Sequence, residues 1–354
     1  MKTILLKGAL SLALLLSVFY PIQAQSVEAA ESQTLDMYFP ADIEEHWAYD
    51  EMDNFVNADL LKGYVDAEGT VTLKPNNSIT RAEFVAILVR ALNLQTEQSG
   101  KTFADVEQGK WYSEPIRVAS SLGIVNGVSD TKFGVNQMIT RGEIATIVVR
   151  AFEASVSFEG ETKAFTDVPD YYAKPFIEKA SQAGIVRGAT ADSFKPFARA
   201  TRAEAVVMLQ RALDLERSDL PEDGVLTEIV KNAEQQELEA MADKNYDGMT
   251  ELYKRYFTGY QLASNLFAIE EIKGIEESGF SFDIQKSSDA AYEVADKTNR
   301  FAVVLSSGGS YTVTMNDGTE QTVETESSDG TYLLKKTSES EWKIYAFYPD
   351  EELE

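Results

Sequence analysis

The sequence predicts a multidomain chain: an all-α region of three equivalent repeats packed as a pseudo-threefold helical bundle, then a smaller α+β domain of helices followed by an antiparallel, curved sheet. Three observations predict it. At 354 residues the chain exceeds the size at which a single core usually keeps growing. A tetrapeptide recurs as Thr80-Arg81-Ala82-Glu83, Thr140-Arg141-Gly142-Glu143 and Thr201-Arg202-Ala203-Glu204, at intervals of 60 and 61 residues. Beyond Phe280 the apolar period changes from helical to two.

The tetrapeptide does not recur alone. Seven residues before each threonine stands Leu73, Phe133 or Phe194, and further back Gly63, Gly127 or Gly188. Sixteen residues before each of those glycines comes an aromatic, Trp47, Trp111 or Tyr172, with an acid upstream of it, Asp42, Asp105 or Asp167. These offsets bound repeats at 36–93, 102–153 and 164–214, joined by polar connectors at 93–101 and 153–163. Copy one carries four extra residues between Gly63 and Leu73, so its loop is expected to differ.

Each Thr-x-x-Glu is a capping box. The threonine hydroxyl accepts an orphan amide of the first turn, and the glutamate reaches back to the threonine's own amide, so a helix starts there. Downstream, Phe84, Ile87, Leu88, Ala91 and Leu92 follow the i, i+3, i+4, i+7, i+8 spacing of an apolar stripe, as do their counterparts after Thr140 and Thr201. One stripe cannot bury itself, whereas three equivalent ones can pack about a common axis. Gly123 and Gly184 suit the left-handed residue that ends a preceding helix; Asp59 takes that place in copy one.

The N-terminus reads as an export signal over residues 1–29. Met1, Lys2 and Lys7 precede an apolar run of 13 residues, and small residues follow at Ala24 and Ala29. The run is short for a bilayer, and no later stretch approaches the roughly 20 apolar residues a spanning helix needs, so no membrane span is expected in the mature protein. The absence of cysteine excludes disulfide scaffolds, thiol catalysis and thiolate metal sites. A net charge of −26 excludes nucleic acid as a partner, because phosphate backbones would be repelled. No metal site and no cofactor is expected.

Together these residues resemble the S-layer homology family. The matches are Phe39, Phe103 and Phe165 at the repeat starts, Gly123-Ile124-Val125-Asn126-Gly127 and Gly184-Ile185-Val186-Arg187-Gly188 at the turns, and Ile79, Ile139 and Ala200 before the threonines. The resemblance covers about half the chain. It implies a three-pronged spindle on the cell surface of a Gram-positive bacterium, holding a pyruvylated secondary cell wall polysaccharide in grooves between repeats. By that resemblance Arg81, Arg141 and Arg202 clamp the pyruvyl carboxylate. Physics agrees, since each sits in the first turn of a helix, where free amides and the dipole favour an anion and a guanidinium adds a two-donor fork.

Each candidate also has a structural use. The arginines can instead pair with neighbouring acids to close the bundle. Trp47, Trp111 and Tyr172 can stack on a sugar ring or fill space between helices, and burial is the commoner fate of a tryptophan. Gly63, Gly127 and Gly188 can admit a sugar close to the backbone, although a turn with positive φ is a sufficient explanation. Asp42, Asp105 and Asp167 can accept sugar hydroxyls, or cap the first helix, which is more common. Arg90, Arg150 and Arg211, each nine residues after a clamp arginine, read as structural.

A polar stretch at 215–224 with Pro221 and Gly224 reads as a linker to a C-terminal domain at 225–350. Helices are predicted at 227–242 and 247–260, with helical character to 274, and strands at 281–285, 301–306, 311–315, 319–325, 331–336 and 342–347. Asn316-Asp317-Gly318 signals a hairpin. The order of helices and strands resembles the cone-like fold of the nuclear transport factor two superfamily, which hosts both enzymes and binding modules, so fold alone does not choose between them. With no His or Cys in this region, a Ser-His-Asp triad, a thiol nucleophile and a His-based zinc site are excluded there, while a carboxylate general base remains open. The leading expectation is a wall-anchored protein displaying a binding or interaction domain. The alternative is a wall-anchored enzyme with a carboxylate active site there.

Overall fold

The structure, a computed structural model, describes residues 35–350 apart from Ser278, Phe280, Asp317 and Glu339; the expected signal segment at 1–29 lies outside the described residues. The chain divides into two compact units, one of residues 40–55 with 60–219, the other of residues from 220 onward with 56–59 and the residues before 40. No helix among the described residues is long and apolar enough to cross a membrane.

The first unit holds three copies of a helix pair. The leading helices are α1 (Tyr49–Asn57), α3 (Ser113–Ser121) and α5 (Lys174–Gln182), and the capped helices are α2 (Arg81–Ala91), α4 (Arg141–Phe152) and α6 (Arg202–Leu213). Both halves of the capping box form in all three: Thr80, Thr140 and Thr201 accept from the amides of Glu83, Glu143 and Glu204, whose carboxylates accept in return from the threonine amides at 2.8–2.9 Å. Thr140→Ala is therefore expected to cost about 1 kcal/mol in urea unfolding, and Thr140→Ser little. Equal stabilities for the alanine and serine variants would remove the cap from the account.

The capped helices are buried more completely than a single stripe requires. In α2, Ala82, Val85 and Ala86 are buried beside Phe84, Ile87 and Leu88. The reason is packing on several sides: α2 packs against α3, α4 against both α5 and α6, and Asn54 of α1 donates to Gln210 of α6 at 2.8 Å. The residues before each cap close a ring: Ile79 N donates to Ala200 O, Ala200 N to Ile139 O, and Ile139 N to Ile79 O, at 2.9–3.1 Å. Three equivalent positions bonded head to tail define the pseudo-threefold axis.

Copy one departs from an all-α repeat. Its four extra residues form a hairpin of β1 (Tyr64–Val65) and β2 (Val71–Thr72), turned by Asp66, whose carboxylate accepts from the amides of Glu68 and Thr70. At the ends of the leading helices, Gly123 and Gly184 have φ of 73° and 74°, and Asp59 adopts the same left-handed conformation at 58°. Asp59 thus ends its helix in the same backbone conformation as the two glycines.

The second unit begins with α7 (Asp223–Ala242), α8 (Tyr246–Tyr256) and α9 (Gly259–Glu277). Helix α7 starts inside the stretch read as a linker. The predicted second helix breaks before 260, because Gly259 sits at φ 58° and starts a new helix. Seven strands follow: β3 (Ser281–Ser288), β4 (Ala291–Lys297), β5 (Phe301–Ser307), β6 (Ser310–Asn316), β7 (Gln321–Ser327), β8 (Gly330–Lys336) and β9 (Trp342–Pro349). All pair antiparallel, but in two sheets, β3-β6-β7 and β4-β5-β8-β9, rather than the single curved sheet expected. Strand β4 escaped the sequence reading because only Tyr292 and Val294 of its seven residues pack inward against the core. The hairpin at 316–318 joins β6 to β7, with Asn316 Oδ1 accepting from the Gly318 amide. Tyr253, Phe257 and Tyr260 are buried in the interior, and Tyr256 is half-buried.

Candidate functional site: a groove among the repeats

The second residue of each capping box carries its guanidinium into a neighbouring repeat. Arg81 Nη1 meets Glu143 Oε1 at 2.8 Å, Arg141 meets Glu204, and Arg202 Nη1 meets Glu83 at 3.3 Å. The relay closes on itself: every capping glutamate holds its own threonine amide with one oxygen and another repeat's arginine with the other. Each arginine Nε also donates to a backbone carbonyl, of Phe133, Phe194 or Leu73. Each guanidinium lies over an aromatic ring, Phe133, Phe194 or Tyr64, at 4.8–5.1 Å. Residue exposures are 5%, 6% and 3%. The pairing use of these arginines, open in the sequence, is thus made in all three copies. Around Glu83 burial favours the neutral acid, but bonds from the Tyr64 hydroxyl and Thr80, with the Arg202 charge, outweigh it and hold the carboxyl below its usual range.

The three repeat aspartates hold the loop before the capped helix rather than the start of the leading one. Each accepts backbone amides of the loop before the capped helix: Asp42 from Leu73 and Lys74, Asp105 from Phe133, Gly134 and Val135, and Asp167 from Phe194 and Lys195, at 2.7–3.2 Å. At Asp105 and Asp167 burial raises the pKa and these bonds, with the Ser193 hydroxyl at Asp167, lower it further, leaving both below the ordinary carboxylate value.

Of Gly63, Gly127 and Gly188, only Gly188 has a positive φ. What Gly127 needs is space, since a Cβ would stand 2.3 Å from Lys132 O and 2.6 Å from the Phe103 ring. A Cβ on Gly63 would meet Val71 at 2.6 Å. The close approach these glycines allow is to their own repeat.

The sequence leaves the three aromatics both uses, stacking on a sugar and filling space between helices. Trp47, Trp111 and Tyr172 are 62%, 60% and 60% exposed, each two residues before its leading helix. A large ring exposed to the same degree at three equivalent positions offers an apolar face to a partner. The Tyr171 ring packs at 5.1 Å from Phe197, itself exposed, beside Tyr172.

One cavity, of about 420 Å³, gathers residues of all three copies: Arg81 of the first, Asn126, Gly127, Glu143 and Arg150 of the second, and Tyr172 of the third. It unites Arg81, Gly127 and Tyr172 from the sequence candidates. Asn126, Glu143 and Arg150 were missed as site residues, although Asn126 lies in the Gly-Ile-x-x-Gly turn and Arg150 recurs at a fixed offset.

The second unit carries a different polar cluster. Glu234 and Glu237, one turn apart on α7, are 5% and 1% exposed. Tyr332 and Tyr292 donate to Glu234 at 2.6 and 2.5 Å, and Tyr253 donates to Glu237 at 2.6 Å. Glu237 Oε2 has no hydrogen-bond partner among the described residues. Burial, against the Tyr253 bond and aided by the Glu234 charge, pushes Glu237 up to about 7. Burial raises Glu234 as well, despite its two tyrosine donors.

A family model of the S-layer homology domain matches residues 41–85, 102–145 and 164–206, one match for each helix pair. The surface-layer 125 kDa protein of Lysinibacillus sphaericus is 33% identical over 173 residues, 48% of this chain and 14% of that protein. A cellulosome-anchoring protein of Acetivibrio thermocellus is 30% identical over 180 residues, 47% of this chain and 39% of its own length. Exoglucanase XynX of Acetivibrio thermocellus is 32% identical over 178 residues, 49% of this chain and 16% of that enzyme. The chain thus spans well under half the length of these relatives.

Proposed function

We propose that this chain, a secreted and wall-anchored surface protein of the Gram-positive type that carries three S-layer homology domains, holds a pyruvylated secondary wall polysaccharide in the grooves among its repeats. Its second unit is then displayed as a binding or interaction module. The observation that carries the reading is the cavity joining Arg81, Gly127 and Tyr172, with an exposed aromatic ring at its edge. Such a site suits a sugar: a flat apolar face for the ring, and fixed polar groups for its substituents. Relatives named for the surface layer and for cellulosome anchoring support the wall as the partner. With a chain this acidic, attraction at long range does not bring an anionic polymer in, so recognition rests on oriented donors at contact, reinforced by repetition.

The test avoids the buried arginines, whose loss would disturb the fold. Trp47→Ala, Trp111→Ala and Tyr172→Ala change exposed side chains. Each is expected to weaken sedimentation with purified walls about tenfold, on the scale of one lost ring contact, and the triple variant to abolish it. Walls stripped of pyruvyl ketals should bind the unaltered protein weakly. Undiminished sedimentation of the triple variant would leave the repeats as a spacer.

The second reading, a wall-anchored enzyme with a carboxylate active site in a cone-like C-terminal domain, is favoured by one observation. Glu237 has the raised pKa of a general acid or base. The residue is 1% exposed and its carboxylate accepts from the buried Tyr253 hydroxyl, which supports the non-catalytic reading.

A further inference from the structure

We propose that Arg150, not Arg81, is the group that receives the ligand's carboxylate in the cavity, and that this makes it the acid-selective groove of the three. The inference rests on the wall-polysaccharide reading and specifies which cation reads the acid.

Arg81 has little left to give. Its Nε, Nη1 and Nη2 already donate to Phe133 O, Glu143 and Asn126 O, and the residue is 5% exposed. A buried charge satisfied in this way braces the repeats, and redirecting it to a ligand would strand Glu143. Arg150 lines the same cavity, is half-buried, and makes no hydrogen bond or ion pair among the described residues. Its guanidinium stacks on the Phe176 ring, 5.1 Å from guanidinium to centroid. That stack leaves the edge of the fork, where its donors point, free for a carboxylate, and limits the side-chain entropy lost on binding.

The equivalent positions are built differently. Arg90 donates to the Leu60 carbonyl and Arg211 to the Ile185 carbonyl at 3.4 Å. The residues that stand where Phe176 does are Glu51 in copy one and Pro115 in copy two, neither of which offers a ring. Glu51 faces Arg211 closely enough to be felt electrostatically, so that cation already has a counter-charge. Within the cavity, Glu143 does not oppose an anion strongly, because Arg81 and the Thr140 amide and hydroxyl compensate it. Tyr172, on which the Arg150 charge acts, supplies the adjoining face for the sugar ring.

The experiment measures calorimetric binding of two probes, an amino sugar bearing a pyruvyl ketal and the same sugar without it, to the full chain. The unaltered protein should prefer the ketal-bearing probe. Arg150→Ala should lose about 10–100-fold in affinity for it, the worth of one charge-assisted bidentate contact, and so lose the preference for it over the plain sugar. Arg150→Lys, which keeps the charge but not the fork, should recover only part of the loss, and Phe176→Leu should fall between. Thermal unfolding of each variant separates this from misfolding. Undiminished preference in Arg150→Ala overturns the proposal alone. An unaltered protein that does not distinguish the probes overturns it together with the pyruvyl reading on which it rests.

Discussion

Glu143→Ala is expected to lower the stability of the repeat unit by about 3–5 kcal/mol, the usual cost of leaving a buried charge without its partner. Two losses combine. The Thr140 amide loses its acceptor at the start of α4, and Arg81 is left 5% exposed with its ion pair gone. In a unit of this size the melting temperature should fall on the order of 10 °C. The paired change Arg81→Met with Glu143→Gln keeps a cap acceptor and strands no charge, so it should cost less than Glu143→Ala alone. Urea unfolding at constant slope measures both. A Glu143→Ala variant within about 1 kcal/mol of the parent would mean that the arginine relay does not hold the repeats together.

Raising the pH from 5 to 8 is expected to destabilise the second unit by about 3 kcal/mol. Glu237 takes its proton with a pKa of about 7 when folded, against an ordinary 4.5 when unfolded. Between those values the folded state binds more protons than the unfolded state, so stability falls as pH rises and levels off above about 7. Glu234, also raised by burial, acts in the same direction, while the raised pKa values of Tyr253 and Tyr332 keep both as donors. Trp342, 8% exposed in this unit, gives a fluorescence signal for its unfolding. Glu237→Gln should flatten most of the pH dependence while keeping an acceptor for the Tyr253 hydroxyl. A parent protein equally stable at pH 5 and 8 would show that the Glu237 carboxyl is not held neutral by its surroundings.

Much of this architecture follows from local chemistry. Thr80, Thr140 and Thr201 announce the capped helices because the capping box uses groups only three residues apart, and all three form as read. The hairpin at Asn316 and Gly318 is local in the same sense. Strand β4 and the division into two sheets were not legible, since they depend on which strands find each other across the chain. The break between α8 and α9 turns on a single glycine whose φ a sequence does not display.

The candidate site divides along the same line. The sequence by itself determined that the repeat positions are equivalent, because identity at matching offsets needs no coordinates. Only the tertiary structure decided what each residue does: Trp47 and Trp111 are exposed rather than packed, Asp105 holds a loop, and Arg81 spends its donors on a neighbouring repeat. Arg150 shows the reason most clearly. It looks the same as Arg90 and Arg211 in sequence, but those two bond carbonyls of their own repeats, whereas the aromatic ring under Arg150 comes from the next repeat, and a guanidinium's role is fixed by what surrounds it rather than by its own position in the chain.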